Sequence, residues 1–193
     1  MILLSEHIYD FDLDAALREI PEQRRKYALR YKNELDIRLC VKAYLLLCEG
    51  LRKKYDITDK PLLGYGKYGK PMLVEYSDIY FNISHCKDAV ICVLGNRPVG
   101  VDVESVTPFN RELALHTMND KELKQIEASL CPNVEFINLW TQKEAVLKCL
   151  GSGISNNMKN ILTENLLENL TTVIAPNRKF VYTVCSQEDL FLQ

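Results

Sequence analysis

The chain has 193 residues and a formal net charge of −2, so it is long enough to bury a real core in one compact domain or two small lobes. A hydrophobic fraction of 47% argues against disorder, and the near-neutral charge gives no strong field that would favour nucleic acid. Seven cysteines without metal-type spacing indicate reduced thiols, and the sequence contains no stretch typical of a signal peptide or a membrane span. These features favour a cytoplasmic globular protein that has neither nucleic acid nor a membrane as a partner.

The first part of the chain is predicted to combine helices with short strands. A strand near the N-terminus is followed by a helical stretch from about Asp12, and Pro21 suits the first position of a further helix at 21–31. Apolar residues recur at helical spacing between 34 and 55, which predicts the longest helix, with one buried face. Short strands are then expected near 72–74, 79–83, 89–94 and 99–104.

The second part repeats the order of helix followed by strands. A helix is expected near 120–128, where Asn119 and Glu122 have the spacing of a capping box. Another helix is expected at 135–150, with Gly151 as its stop signal, and strands follow near 161–175 and 179–185. The pattern predicts an α+β fold with two helix-plus-antiparallel-sheet lobes, residues 1–104 and 105–193.

Two carboxylates are expected on one face of the strand at 99–104. Asp102 and Glu104 are two residues apart, so both side chains point the same way, while Val101 and Val103 point to the other face. Two neighbouring carboxylates repel each other unless a positive charge lies between them, and Mg²⁺ prefers such ligands. The alternative interpretation is a solvated edge strand with two surface acids.

A second group of polar residues lies on one stripe of the helix at 135–150. Trp140, Glu144 and Lys148 recur at every fourth residue and therefore share one side of the helix. A Glu–Lys pair at this spacing is commonly a surface pair that contributes only about a few tenths of a kcal/mol. A single Trp is likewise more often part of a core than of a site.

Four short motifs occur in order along the chain. They are Gly69-Lys70-Pro71, Asn82-Ile-Ser-His85, Gly100-Val-Asp-Val-Glu104 and Trp140-x-x-Lys143-Glu144-x-x-x-Lys148-x-x-Gly151-x-Gly153. Together they resemble the 4′-phosphopantetheinyl transferase family, over about residues 20–155. The length is similar to that of the longer, monomeric type, and the resemblance implies two lobes related by a pseudo-twofold axis with the active site in the cleft between them.

The resemblance implies a holo-[acyl-carrier-protein] synthase activity. Such an enzyme transfers the 4′-phosphopantetheine group from coenzyme A to a serine hydroxyl of an apo acyl or peptidyl carrier protein and releases adenosine 3′,5′-bisphosphate. The reaction depends on Mg²⁺, with Mn²⁺ as the alternative ion. Two other classes remain open on the sequence: a Mg²⁺-dependent coenzyme A phosphohydrolase and a non-catalytic relative that binds coenzyme A.

The resemblance also assigns roles to particular residues. Asp102, Glu104 and Glu144 would hold the metal, and Glu144 would act as the base, either directly or through a metal-bound water. His85 and Lys148 would hold the pyrophosphate and take part in catalysis. The remaining substrate-binding residues would be Lys26, Arg38, Lys70, Ser84 and Lys143. Ser84 and His85 do not indicate a serine hydrolase, because adjacent strand residues point to opposite faces and there is no Gly-x-Ser-x-Gly elbow.

Overall fold

The fold is an α+β arrangement of helices and antiparallel sheets. A computed structural model describes residues 1–153, 158–162 and 167–186. The helices in these ranges are α1 (Leu13–Glu19), α2 (Glu22–Ala28), α3 (Glu34–Tyr55), α4 (Arg111–Thr117), α5 (Asp120–Ala128) and α6 (Pro132–Leu150), with a 3₁₀ turn at Met158–Asn160. The strands are β1 (Ile2–Ser5), β2 (Leu63–Tyr65), β3 (Pro71–Leu73), β4 (Tyr80–His85), β5 (Val90–Gly95), β6 (Val99–Ser105), β7 (Leu170–Ile174) and β8 (Phe180–Ser186). The α+β class predicted from the sequence is confirmed.

Two three-stranded antiparallel sheets organise the molecule. The first has the order β1-β5-β4 and the second has the order β6-β8-β7, while β2 and β3 pair as a separate hairpin. Apolar side chains such as Ile91, Val101 and Tyr182 form a buried cluster contributed by both sheets. Helix α3 packs against β5 and β4, and α6 packs against β6 and β8. Each sheet therefore carries one long helix.

The observed boundaries agree with the predicted elements in most places. Helices α3 and α5 have the predicted limits, whereas α2 is shorter than predicted because Pro21 is its N-cap and Leu29 has already left the helical conformation. Helix α6 begins three residues earlier than predicted, with Pro132 in its first turn. Part of the strand predicted near 161–175 falls at 163–166, outside the described residues, and the part that the structure describes as a strand is β7.

Local capping interactions define the start of α5 and the end of α6. The predicted capping box is present on α5, where Asn119 Oδ1 accepts from the Glu122 amide (2.9 Å) and Glu122 Oε2 accepts from the Asn119 amide (2.8 Å). Helix α6 ends at Gly151, which has φ of 65°, a conformation that glycine adopts without a steric penalty. No helix in the described ranges is long and apolar enough to cross a membrane.

Side chains rather than a backbone ladder join the edges of the two sheets. Asn82 Oδ1, on β4, accepts a hydrogen bond from the Val101 amide on β6 (2.8 Å), and Ser84 Oγ accepts one from the Val103 amide (3.3 Å). Both side chains are buried, and so are the amides that they satisfy. Because a buried amide without a partner is costly, these contacts fix β6 beside β4.

Candidate active site

Strand β6 turns two carboxylates toward α6. Val101 and Val103 are fully buried in the cluster between the sheets, so the alternate side chains of Asp102 and Glu104 point to the opposite face. Asp102 is buried, with 3% of its surface exposed, and Glu104 is half-buried. The predicted sharing of one strand face is confirmed. The alternative interpretation, a solvated edge strand with two surface acids, does not describe Asp102, because α6 covers it.

A glycine allows α6 to lie directly on this face of the strand. Gly100 precedes Asp102 by two residues, so a side chain there would also point toward the helix. A Cβ atom at Gly100 would overlap the carbonyl oxygen of Ala145 and the amide nitrogen of Cys149, and would lie 2.8 Å from the Cys149 Cα atom. The missing side chain therefore brings the α6 backbone against β6, within reach of the carboxylates.

Lys148 on α6 connects the helix to β6 and β4. Its Nζ atom lies 2.5 Å from Asp102 Oδ1 and 3.2 Å from Ser84 Oγ, and Ser84 Oγ donates to Asp102 Oδ1 over 3.0 Å. The Lys148 side chain is 31% exposed and is therefore only partly covered. The helical spacing would allow Lys148 to form a surface pair with Glu144. Lys148 instead contacts Asp102 and Ser84.

The site holds more negative than positive charge. Burial, followed by the charge of Asp102, raises the pKa of Glu104 to about 7, while Lys148 opposes this shift and Glu144 adds to it. Burial and the Asp102 carboxylate also raise the pKa of Glu144. One lysine therefore does not neutralise the three carboxylates, and a further cation would stabilise their charged forms.

The donor atoms suit a hard divalent cation. Asp102 Oδ2 and Glu144 Oε1 are buried and have no hydrogen-bond partner among the described residues, which leaves their lone pairs free. Carboxylate oxygens are the ligands that Mg²⁺ prefers, usually with water and phosphate oxygens completing the shell. In residues 1–153, 158–162 and 167–186 no three His, Cys, Asp or Glu side chains converge at ligand spacing. The site thus fits the ion in charge and in donor type but not in the spacing of the donors, and Lys148 holds one oxygen of Asp102.

Two adjoining pockets open beside these residues. The first, of about 310 Å³, is lined by Lys70, Asn82, Glu144 and Lys148 among others. The second is of similar volume and is lined by residues that include Arg24, His85, Asp102, Glu104 and Lys148. Because Lys148, Gly69, Pro71 and Ile83 line both, the pockets form one continuous cleft, with the charged residues near its middle.

Positive and aromatic residues surround the second pocket. His85, at the end of β4, keeps contact with solvent, but desolvation within the cleft and then the charges of Lys148 and Arg24 lower its pKa. Arg24 is 6% exposed, donates from Nη2 to the Cys40 carbonyl (2.9 Å) and lies over the Tyr27 ring, 4.9 Å from its centroid. Its buried Nε atom has no hydrogen-bond partner among the described residues.

Arg24 is the residue of this cleft that sequence reasoning missed. The resemblance pointed to Lys26, but Arg24 and Lys26 are two positions apart on α2 and leave the helix in nearly opposite directions. Lys26 is exposed and pairs with Glu22 over 2.6 Å. The sequence alone does not show which face of α2 is buried, and that face holds Arg24 and Ala28.

The other predicted basic residues are in different surroundings. Lys70 lines the first pocket and donates from Nζ to the carbonyls of Val99 (2.9 Å) and Cys149 (3.2 Å), and burial lowers its pKa. Arg38 pairs with Glu34 over 2.8 Å and donates to the Phe11 carbonyl over 3.2 Å, away from the residues that line the cleft. Among Lys26, Arg38 and Lys70, only Lys70 lines the cleft.

Lys143 lies outside the cleft, contrary to the expectation that its charge is near the phosphates. Its side chain is fully buried, and its Nζ atom donates to Glu122 Oε2 (2.7 Å) and to the carbonyls of Thr117 (3.1 Å) and Met158 (2.7 Å). An ammonium has three N–H donors, so all of them are used. The difference arises because adjacent helix positions diverge by about 100°, so Lys143 points toward α5 while Glu144 points toward β6.

The fold and the cleft define a mixed α+β protein with a charged site between a strand and a helix. Residues 98–189, slightly less than half of the chain, match the model of the 4′-phosphopantetheinyl transferase superfamily. This match covers two of the four motifs, those at 100–104 and 140–153, and agrees with the resemblance that all four indicate.

Individual relatives support the same assignment. The chain is 29% identical over 154 residues to "4′-phosphopantetheinyl transferase gsp" of Aneurinibacillus migulanus, covering 78% of this chain and 62% of that protein. It is 30% identical over 139 residues to "4′-phosphopantetheinyl transferase Sfp" of Bacillus subtilis (strain 168), covering 70% and 61%. The matched region thus spans about three fifths of the length of these relatives.

Proposed function

We propose that the chain transfers the 4′-phosphopantetheine group from coenzyme A to a serine hydroxyl of an apo acyl or peptidyl carrier protein and releases adenosine 3′,5′-bisphosphate. The observation that carries this proposal is the group of three carboxylates, Asp102, Glu104 and Glu144, around Lys148 in one cleft. A reaction at a pyrophosphate needs ligands for a divalent cation, a base and a cation for the leaving group. The match to the superfamily model and the names of the relatives support the same activity.

In this reaction the serine oxygen attacks the phosphorus that carries the pantetheine arm. A new serine O–P bond forms, the bond between phosphorus and the bridging oxygen of the pyrophosphate breaks, and the bridging oxygen leaves with adenosine 3′,5′-bisphosphate. A neutral hydroxyl is a poor nucleophile and must lose its proton. Glu144 is placed in the role of the base, because its Oε1 atom has a free lone pair and its raised pKa strengthens it as a proton acceptor.

Lys148 is the group that would stabilise the leaving oxygen. Its ammonium lies at the junction of the two pockets, and its side chain is only partly covered. Hydrogen bonds to Asp102 and Ser84 hold it in place, so its charge is oriented before the substrate arrives. His85 lies on the same side of the cleft as Asp102 and Glu104 and would donate to a pyrophosphate oxygen.

Asp102, Glu104 and Glu144 would hold Mg²⁺, or Mn²⁺ as the alternative. When bound, the ion supplies positive charge to the pyrophosphate oxygens. The free Oδ2 atom of Asp102 supports this assignment, as does the raised pKa of Glu104. In this proposal the ion neutralises the charge that Lys148 leaves uncompensated.

The adenosine end of coenzyme A would bind among the basic residues of the first half. Lys70 is supported by its place in the cleft wall, and Lys26 and Arg38 remain proposed contacts to the 3′-phosphate. Lys70→Ala is expected to weaken the use of coenzyme A more than that of dephospho-coenzyme A, since each charge-assisted contact to a phosphate contributes about 1.5–3 kcal/mol. An equal loss with both substrates would remove Lys70 from the 3′-phosphate site.

We further propose that the parts 1–104 and 105–193 act as two lobes related by a pseudo-twofold axis, with the reaction in the cleft between them. Support comes from the repeated unit of a long helix on a three-stranded antiparallel sheet, in which β6 (Val99–Ser105) belongs to the second unit although most of its residues fall within 1–104. A monomeric, cytoplasmic enzyme is part of the same proposal, and its partners are coenzyme A and an apo carrier protein.

The test is incubation of the chain with coenzyme A, Mg²⁺ and a panel of apo carrier proteins, followed by intact-mass measurement of each carrier. The expected result is the mass gain of one phosphopantetheine group on at least one carrier, with no gain when Glu144→Gln replaces the wild type. Cleavage of coenzyme A without a carrier would instead identify a phosphohydrolase. Binding of coenzyme A without any turnover would identify a non-catalytic relative.

A further inference from the structure

We propose that Cys149 and Cys185 form a reversible thiol–disulfide site. In this site Cys149 attacks small disulfides and Cys185 then closes an internal disulfide with it. This proposal concerns the two thiols themselves and does not depend on the transferase activity. It rests on the contact between the two side chains, on the pocket that exposes one of them and on the charge beside them.

Gly100, which lets α6 lie on β6, also brings the two cysteines together. Cys185 on β8 is the antiparallel partner of Gly100 on β6, and the Cys149 backbone lies directly over Gly100 because that residue has no side chain. Both cysteines pack in one apolar cluster with Ala145 and Val146, and each thiol is close enough to shift the pKa of the other. Such proximity is the first requirement for a disulfide.

Only one of the two thiols can be reached by a reagent. Cys149 is half-buried and lines an apolar pocket of about 340 Å³, together with Met72, Tyr80 and Leu150. Its sulfur atom lies 3.4 Å from the Pro98 carbonyl oxygen at the edge of this pocket. Cys185 is 4% exposed and is absent from the pocket wall. A small disulfide therefore meets Cys149 first.

The surroundings favour Cys149 as the thiolate that attacks first and Cys185 as the thiol that then attacks the mixed disulfide. The hydrogen bond from Cys185 and the charge of Lys70, opposed by burial, lower the pKa of Cys149 to about 7. The pKa of Cys185 is raised, first by its contact with Cys149 and then by burial. Lys70 Nζ donates to the Cys149 carbonyl over 3.2 Å, which fixes this positive charge beside the thiols. A lowered pKa near neutrality gives a large thiolate fraction at neutral pH.

The exchange proceeds in two balanced steps. The Cys149 thiolate attacks one sulfur of a small disulfide such as glutathione disulfide, forms a mixed disulfide and releases one glutathione thiolate. Cys185 then transfers its proton to solvent or to the departing group and attacks the Cys149 sulfur. The second glutathione leaves as a thiol, and the Cys149–Cys185 bond is complete. The small disulfide is the oxidant, and its two sulfurs take up the two electrons.

The other cysteines provide internal controls. Cys131 is exposed and lies near the Arg178 guanidinium. It precedes the first turn of α6, whereas Cys149 is in the last turn. Cys40, Cys86 and Cys92 are buried, so external reagents reach them slowly in the folded chain. Reaction at Cys131 alone would show that reactivity follows exposure. Formation of a Cys149–Cys185 bond would show that these two thiols are placed for a disulfide.

The experiment treats the folded, full chain with glutathione disulfide, blocks the remaining thiols with an alkylating reagent and maps the peptides by mass spectrometry. The wild type is expected to yield a peptide pair joined through Cys149 and Cys185, which a thiol reductant separates. Cys185→Ala is expected to stop at one glutathionyl group on Cys149, and Cys149→Ala is expected to leave Cys185 unmodified. Cys131→Ala should leave the joined pair unchanged.

Two results would overturn the proposal. One is a folded wild type in which Cys131 carries glutathione while Cys149 and Cys185 remain unlinked. The other is a Cys185→Ala chain, shown to be folded by its thermal transition, in which Cys149 does not react. The first measurement uses no substitution, so the proposal stays testable even if Cys185→Ala does not fold.

Discussion

Replacing Gly100 by alanine is expected to damage the site without touching any charged group. The added methyl group points at the backbone of α6, where it would overlap the Ala145 carbonyl oxygen and the Cys149 amide nitrogen. These are backbone atoms of a regular helix, so no rotation of a side chain can relieve the overlap. The helix has to move away from β6 and carries Glu144 and Lys148 with it.

The size of this displacement sets the expected effect. To restore ordinary contact distances α6 must shift by roughly 1 Å, and overpacking of this kind costs about 1–3 kcal/mol of folding free energy. A displacement of about 1 Å in a catalytic group can lower the rate by about 10²-fold. Since Lys148 contacts Asp102 over 2.5 Å, a shift of this size would lengthen and weaken this contact and move the ammonium from its place in the cleft.

Thermal unfolding and the carrier-protein mass assay measure the two effects separately. For a chain of this size the melting temperature should fall by about 2–4 °C per kcal/mol lost. Gly64→Ala is the matched control, because a Cβ atom there would lie 3.6 Å from Val74 Cγ2, at ordinary contact distance. A Gly100→Ala chain with the stability and turnover of the wild type would refute the close approach of α6 to β6.

Three further predictions concern single ionisable residues. Glu144→Gln should keep coenzyme A binding and lose about 10²–10⁴-fold in transfer, and wild-type turnover would exclude Glu144 as the base. The raised pKa of Glu104 means that, between pH 4.5 and about 7, the folded chain holds a proton that the unfolded chain has lost. The stability that this proton contributes should therefore be lost as the pH rises from 4.5 to about 7. The melting temperature should therefore decrease over this range, Mg²⁺ should restore more of it at pH 8 than at pH 5, and Glu104→Gln should reduce both effects. Lys143→Met should destabilise the fold by about 3–5 kcal/mol, because it leaves Glu122 buried without its cation. A raised KM for coenzyme A at unchanged stability would instead place Lys143 at the substrate.

Local patterns predicted much of the fold and part of the site. The spacing of apolar residues gave the limits of α3, the capping box gave the start of α5, and the alternation of β6 gave the shared face of Asp102 and Glu104. Each of these features depends on residues close together in the chain. The relevant interactions are local hydrogen bonds and side-chain periodicity, which the sequence shows directly.

The sequence did not reveal which basic residues face the cleft. The choice between Arg24 and Lys26 depends on which side of α2 meets α3, and the position of Lys143 depends on α5 and the 3₁₀ turn at Met158–Asn160. The burial of Asp102 depends on Gly100, whose importance appears only when the helix is placed on the strand. These are tertiary contacts between distant segments, and one sequence carries no signal for them.

The hydrogen bonds that join β4 to β6 affect how substitutions at Ser84 should be interpreted. Ser84 Oγ satisfies the Val103 amide and also contacts Asp102 and Lys148, so one hydroxyl both attaches the two sheets and orients the charged groups. Loss of activity in Ser84→Ala would consequently not distinguish a weakened joint from a lost substrate contact. Asn82 offers the comparison, because its amide oxygen satisfies the Val101 amide and no described contact joins it to Asp102 or Lys148. If Asn82→Ala and Ser84→Ala lower the melting temperature equally, the shared cause is the attachment of the sheets, and a greater loss of activity in Ser84→Ala belongs to the contacts with Asp102 and Lys148.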